Sequence, residues 1–133
     1  MAPFNQLKER SMVIEAAIKM AAENNKYPQW RLCTIITKGG SVISMGESSY
    51  RNSPKHNEAD GVNCSEHSEI AALRKVSPNR DLKGAIAHVA RVSRGGRVSI
   101  AKPCRGCQKA LREAGVKRVH YTESEDTIKR MKL

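Results

Sequence analysis

Two short stretches carry side chains whose types and spacing suit one metal ion. His67-Ser68-Glu69 offers an imidazole and, two residues on, a carboxylate. Pro103-Cys104-Arg105-Gly106-Cys107 offers two thiols spaced three apart, beginning 35 residues after Glu69. Thiolates and neutral imidazole are the usual ligands of Zn2+, and a nearby carboxylate can move protons for a zinc-bound water. His67, Cys104 and Cys107 make three ligands. A structural zinc is normally closed by four, whereas a catalytic one keeps a position open. The expectation is a catalytic zinc with Glu69 as its acid-base partner, a group that a purely structural site would not need.

Positioning these side chains constrains the elements around them. Residues two apart on a helix point about 200° away from each other. His67 and Glu69 therefore converge only on something lying off a helix N-terminus. Asn63 is the expected cap, with Glu66 as its reciprocal partner, and Pro78 limits the helix. Cys104 and Cys107 share a face in the first turn of a second helix, Cys104 to Ala114, entered through Pro103 and closed by Gly115. Both ligand sets thus sit where unsatisfied N–H groups and the positive dipole end favour thiolates and hydroxide.

The remaining elements follow from periodicity. Ser11 to Glu23 has a broad apolar helical face. Leu32 to Thr37 and Val42 to Gly46 read as a hairpin across Gly39-Gly40. Ala85 to Val92 is a third strand, Val98 to Ile100 a brief extended piece, and Val116 to Tyr121 a fourth strand. The charged tail, Thr122 to Leu133, is expected to add a final helical turn or two. The first two strands should be antiparallel, and the last two, joined through a helix, parallel. The order predicts one α/β domain over residues 1–133, a mixed sheet with helices on both faces. Glu47 to Cys64 is polar, aperiodic and long for a connection; running into His67, it is expected to wall the site.

Composition narrows the partners. The chain has 133 residues and a formal charge of +11. Arg74 to Arg118 holds thirteen Lys/Arg against Asp81 and Glu113, a net +11, so this segment equals the whole excess. Such a segment points to an anionic partner, from a nucleotide to single-stranded nucleic acid. No apolar run is long enough to cross a membrane. The first ten residues lack a signal-peptide core, and two of the four cysteines sit in Cys-x-x-Cys. A cytoplasmic, reduced setting with metal use is expected in place of disulfides.

With these motifs in hand, the chain resembles the zinc-dependent cytidine/deoxycytidylate deaminase superfamily. His67-Ser68-Glu69 followed by Pro103-Cys104-Arg105-Gly106-Cys107 looks like its signature. The continuation Gln108 to Tyr121 is most similar to the branch holding deoxycytidylate and tRNA-adenosine deaminases. The resemblance implies a three-layer α/β/α cytidine-deaminase-like fold with a mixed sheet of four to five strands. It implies zinc on His67, Cys104 and Cys107, and Glu69 shuttling protons from water to the ring nitrogen and the leaving ammonia. It sets Asn52, Ser68 and Pro103 against the substrate, Ser68 through backbone N–H and Asn52 as the best-placed match at the sugar, with Asn57 and Asn63 also available there, and it implies a homo-oligomer. Ser68 stands where alanine is more usual. With twelve residues after Tyr121, little room is expected for a fifth strand.

Cys33, His88 and His120 fall in strands and are expected to be packed residues outside the site. Trp30 and Tyr50 could stack on a base, but five aromatics in all make no extended platform. The leading functional expectation is deamination of a cytosine-containing nucleoside or nucleotide, deoxycytidylate favoured. The alternatives are a cytosine or adenine deaminase acting on single-stranded DNA or RNA, and a non-catalytic zinc-stabilised nucleic-acid-binding module.

Overall fold

A computed structural model describes residues 6–7, 11–24, 31–49 and 66–133. Asn52, Trp30, Tyr50, Asn57, Asn63 and Cys64, read above as site or loop residues, lie outside the described residues. The described elements run β1 (Gln6–Leu7), α1 (Met12–Glu23), β2 (Arg31–Lys38), β3 (Ser41–Glu47), α2 (Ser68–Arg74), β4 (Ile86–Val92), β5 (Val98–Ser99), α3 (Arg105–Ala114), β6 (Arg118–Thr122) and β7 (Ile128–Lys132).

Six strands lie in the order β1-β7-β6-β4-β2-β3, with β5 paired to β4 off that path. As the topology rule requires, β4 and β6 are parallel, while β2 pairs antiparallel with both β3 and β4. The central place of β2 explains its nearly unbroken apolar run, since both of its faces are buried. Cys33 and Ile35 face α1 together with Ala90 and Val92, against Ala17 and Ala21. On the other face, Ile36, Val89 and Val119 pack against Ile70 of α2 and Leu111 of α3. The result is the three-layer α/β/α arrangement.

Two expectations are corrected. The tail does not add helical turns. Ile128–Lys132 forms a full antiparallel strand on β6, from Thr122↔Ile128 to Arg118↔Lys132, and β1 adds to its far edge. The sheet therefore exceeds four to five strands. Ile128 and Met131 are three apart, a helical spacing that tertiary pairing overrides here. The available hydrogen-bonding edge of β6 selects the strand, with Lys129 meeting Glu123 at 3.2 Å across the turn. The second correction concerns α2, which begins at Ser68 with His67 as its N-cap. The expected cap Asn63 lies outside the described residues, and the Glu66 carboxylate, instead of serving a capping box, is held by Arg74 through Nε and Nη2, both at 3.1 Å.

Where the glycines sit is also decisive. Gly39 and Gly40, both at positive φ, turn β2 into β3. Gly46 serves a different need. A Cβ there would lie 2.2 Å from the Ala72 nitrogen and 2.6 Å from the Ser68 oxygen, so β3 lies backbone to backbone against α2. Ser44 reinforces this approach by donating to the Ala72 carbonyl at 2.6 Å.

Candidate metal centre and acid-base site

The site assembles from two helix starts. His67 is the N-cap of α2, in extended conformation, and its imidazole makes no capping hydrogen bond. The backbone before it is pinned, because Ser49 and Glu66 exchange both N–H···O bonds, at 3.1 and 2.9 Å. That bridge clasps the two ends of the 50–65 connection beside His67. Cys104 is the N-cap of α3, and its sulfur accepts the Cys107 N–H at 3.4 Å. Gly115, left-handed at φ 106°, closes the same helix as its sequence position requires.

Geometry brings the three ligand candidates together. His67 Nδ1 lies 3.2 Å from Cys107 Sγ and 3.7 Å from Cys104 Sγ. All three donor atoms fall within 4.8 Å of one another. A nitrogen and a sulfur on one tetrahedral zinc sit about 3.5 Å apart, given Zn–N near 2.05 Å and Zn–S near 2.3 Å. The two observed separations bracket that value, so the donor set fits Zn2+. Among the described residues no other cluster of three such groups forms.

Electrostatics suit the same use. Cys104 is held as a thiolate, its pKa lowered to about 4, first by the Cys107 thiol and with help from His67, against the opposing effect of burial. Cys107 is buried and unoxidised. Glu69, the second residue of α2, is 3% exposed. Burial pushes its carboxyl above the ordinary range, offset in part by the His67 charge, its own N–H and the Ser68 hydroxyl. A carboxyl raised in this direction is suited to taking and returning a proton.

The other expected residues divide. Ser68 is buried, and its hydroxyl turns inward to Glu69 Oε1 and Thr34. Pro103 is buried before Cys104, with its carbonyl accepting from Gln108 Nε2 at 2.8 Å. Lys102 and Arg105, both exposed, flank Cys104. Cys33, fully buried with its thiol pushed up to about 12, is a core residue as expected. His88 and His120 form an edge-to-face pair with ring centroids 5.1 Å apart, on the α1 side of the sheet, away from the thiols.

Sequence reasoning missed Thr34, Gly46 and the Glu66–Arg74 pair. A glycine within a strand pattern is a signal of close backbone approach, and Gly46 carried it. Glu66 and Arg74, eight apart, fall outside every helical pairing rule, and nothing local marks Thr34.

Comparison with known proteins agrees with this geometry. The family model "cytidine and deoxycytidylate deaminase zinc-binding region" matches residues 7–123. Among solved structures, deoxycytidylate (dCMP) deaminase from the cyanophage S-TIM5 in apo form is 23% identical, with TM-score 0.56, over 89% of this chain and 88% of that one. The same enzyme in complex with dCMP and dUMP gives 23% identity and TM-score 0.57, covering 82% and 76%. Guanine deaminase from Bacillus subtilis is 22% identical, with TM-score 0.55, over 83% of this chain and 61% of that one. These likenesses show a shared fold. No curated protein matches the chain.

Proposed function

The chain belongs to the family of zinc-binding cytidine and deoxycytidylate deaminases, hydrolytic deaminases that use Zn2+, and from that premise we propose that its substrate is a cytosine nucleotide of the deoxycytidylate kind. The observation that carries the reading is the convergence of His67 Nδ1 with both thiol sulfurs, and a buried Glu69 two residues beyond His67. In this reading His67, Cys104 and Cys107 hold the metal. When bound, zinc lowers the pKa of a water from 15.7 to about 7, supplying a nucleophile at neutral pH.

The chain's own groups do the rest. Glu69 takes a proton as the water oxygen attacks C4 of the ring, and passes it to the ring nitrogen. It then moves the second water proton to the amino group, which leaves as ammonia. The products are the uracil form and one ammonia, with Glu69 returned to its starting state. Asn52 at the sugar and the Ser68 backbone at the ring carbonyl complete the expected substrate contacts, with Pro103 beside them. Lys102 and Arg105 are the exposed cations nearest in sequence to Cys104 and are suited to a 5′-phosphate. A reduced, intracellular setting belongs to the reading, since metal-binding thiols such as Cys104 and Cys107 need to stay reduced. Self-association belongs to the reading, and the outer strand β3, with Val42 and Met45 exposed, offers a face for it. No helix among the described residues is long and apolar enough to cross a membrane.

A second reading, deamination within single-stranded DNA or RNA, is favoured by one observation. Lys75, Arg80, Lys83, Arg94, Arg97, Lys102 and Arg105 are all exposed, more cations than one phosphate requires. A mass-spectrometric panel separates the two: cytidine, deoxycytidine, their mono- and triphosphates, and single-stranded oligonucleotides. Turnover of deoxycytidylate with no uracil formed in oligonucleotides at low salt supports the nucleotide reading. The reverse pattern overturns it.

A further inference from the structure

Glu69 is not alone in its buried pocket. Ser68 Oγ donates to Glu69 Oε1 at 3.1 Å, and Thr34 Oγ1 on β2 lies 2.8 Å from Ser68 Oγ. Thr34 and Ser68 are both 0% exposed and Glu69 is 3% exposed, so bulk water does not compete for these bonds.

We propose that Thr34 and Ser68 form a two-hydroxyl relay that fixes Glu69 Oε1 and leaves Oε2 as the oxygen that carries the proton. The proposal rests on Glu69 being the proton carrier argued above. Its direction follows from counting protons. An ionised carboxylate only accepts, and each hydroxyl has a single proton to give. Ser68 gives its proton to Oε1, so the Thr34 hydroxyl must donate to Ser68. The relay runs one way, from Thr34 through Ser68 to Glu69.

The relay is compatible with both states of the catalytic cycle. With Glu69 ionised, Oε1 accepts from Ser68. With Glu69 protonated at Oε2, Oε1 is a carbonyl-like oxygen that accepts the same bond. No hydroxyl has to turn as the proton arrives and leaves, and the carboxyl plane stays fixed throughout. Gly46 makes the relay possible, because it is paired with Thr34 across β2 and β3. It is also where α2 meets the sheet backbone, with the Ser68 oxygen 2.6 Å from its would-be Cβ. The Thr34 and Ser68 hydroxyls are thus positioning groups; neither hydroxyl is offered as touching substrate.

The test measures kcat, KM and zinc content with deoxycytidylate for Ser68→Ala, Thr34→Val, Thr34→Ser, the Ser68→Ala/Thr34→Val double variant and Glu69→Gln. Freeing a catalytic carboxyl costs about 10- to 100-fold in rate when its geometry loosens. Ser68→Ala is expected to lose kcat by that factor, with KM within about twofold and full zinc. Thr34→Val loses several-fold, and that loss disappears in the Ser68→Ala background, as groups acting in series require. Thr34→Ser, which keeps the hydroxyl, retains wild-type kcat. The relay is overturned if Ser68→Ala keeps wild-type kcat, if the two losses multiply, if Thr34→Ser is as slow as Thr34→Val, or if Ser68→Ala loses its zinc. Activity in Glu69→Gln would instead overturn the assignment of Glu69 itself, a separate failure that this variant isolates.

Discussion

Cys104 sits beside the Cys107 thiol, His67 and the Cys107 N–H, and together, the thiol first, they make it a thiolate before any metal arrives. With a pKa near 4 it needs no proton expelled at neutral pH for metal to bind. Cys104→Ala removes one of the three candidate ligands found among the described residues. Zinc measured by atomic absorption should fall from one per chain to a small fraction of that, with turnover lost in parallel; a variant retaining full zinc would remove Cys104 from the ligand set. His88 is the opposite kind of residue, a base buried uncharged. Burial holds its pKa down at about 4 against an ordinary 6.5, and His120 is held equally low, again chiefly by burial. The unfolded chain therefore binds more protons than the folded one between pH 6.5 and 4. Stability is full above that window and falls as pH drops through it, by up to about 1.4 kcal/mol per pH unit for each histidine. Urea midpoints from pH 7 to 4.5 should show the slope, and His88→Phe should flatten it; an unchanged slope would rule out this pair as the cause. At this scale the sequence was highly legible where chemistry is local. His-x-Glu and Cys-x-x-Cys carry their geometry in their spacing. Thr34 does not, because its partner is 34 positions away and only the folded sheet brings them together.

Elements aim these residues, and two of their joints are testable. Gly46 lets β3 touch the backbone of α2. Gly46→Ala would set a methyl 2.2 Å from the Ala72 nitrogen, with no flexible side chain to yield. A loss of about 3 kcal/mol or more is expected, with kcat falling in whatever fraction folds, because the helix carrying Glu69 is pushed off the sheet. Thermal melts and steady-state rates on one preparation check both parts. The Glu66–Arg74 pair clamps the other end of α2. Glu66 is 1% exposed, while the Arg74 side chain is 39% exposed. Arg74→Met leaves a buried carboxylate short of its donors and should cost about 2–3 kcal/mol, the partly exposed arginine tempering the loss. A chemical-denaturation midpoint unchanged from wild type would show the clamp to be idle. The start of α2 was misread for a physical reason. Capping preferences favour asparagine, but His67 is set in place by the Ser49 bridge and this long-range ion pair, which no local rule contains.

At the scale of the whole molecule, charge and chain path decide behaviour. The exposed cations from Lys75 to Arg105 favour anions at large, and salt separates the kinds. A strand held at six or more phosphates loses about 10³-fold or more in affinity between roughly 50 and 200 mM salt. Deoxycytidylate turnover at subsaturating concentration should change only a few-fold over that range; a collapse would favour the polynucleotide reading. The fold class was readable from element order because the hairpin, the parallel β4–β6 crossover and helices on both faces follow from short-range patterns. The last strand was not, since β7 exists only as a partner for β6. That arrangement also sets a timetable for synthesis. Gln6 pairs with Lys129, 123 positions later, so β1 emerges from the ribosome with no strand to join until the whole of the intervening sheet has been made. Pairings of such separation form late and slowly. Until β7 arrives, β6 offers an open hydrogen-bonding edge, and the nascent chain is at its most aggregation-prone in that interval.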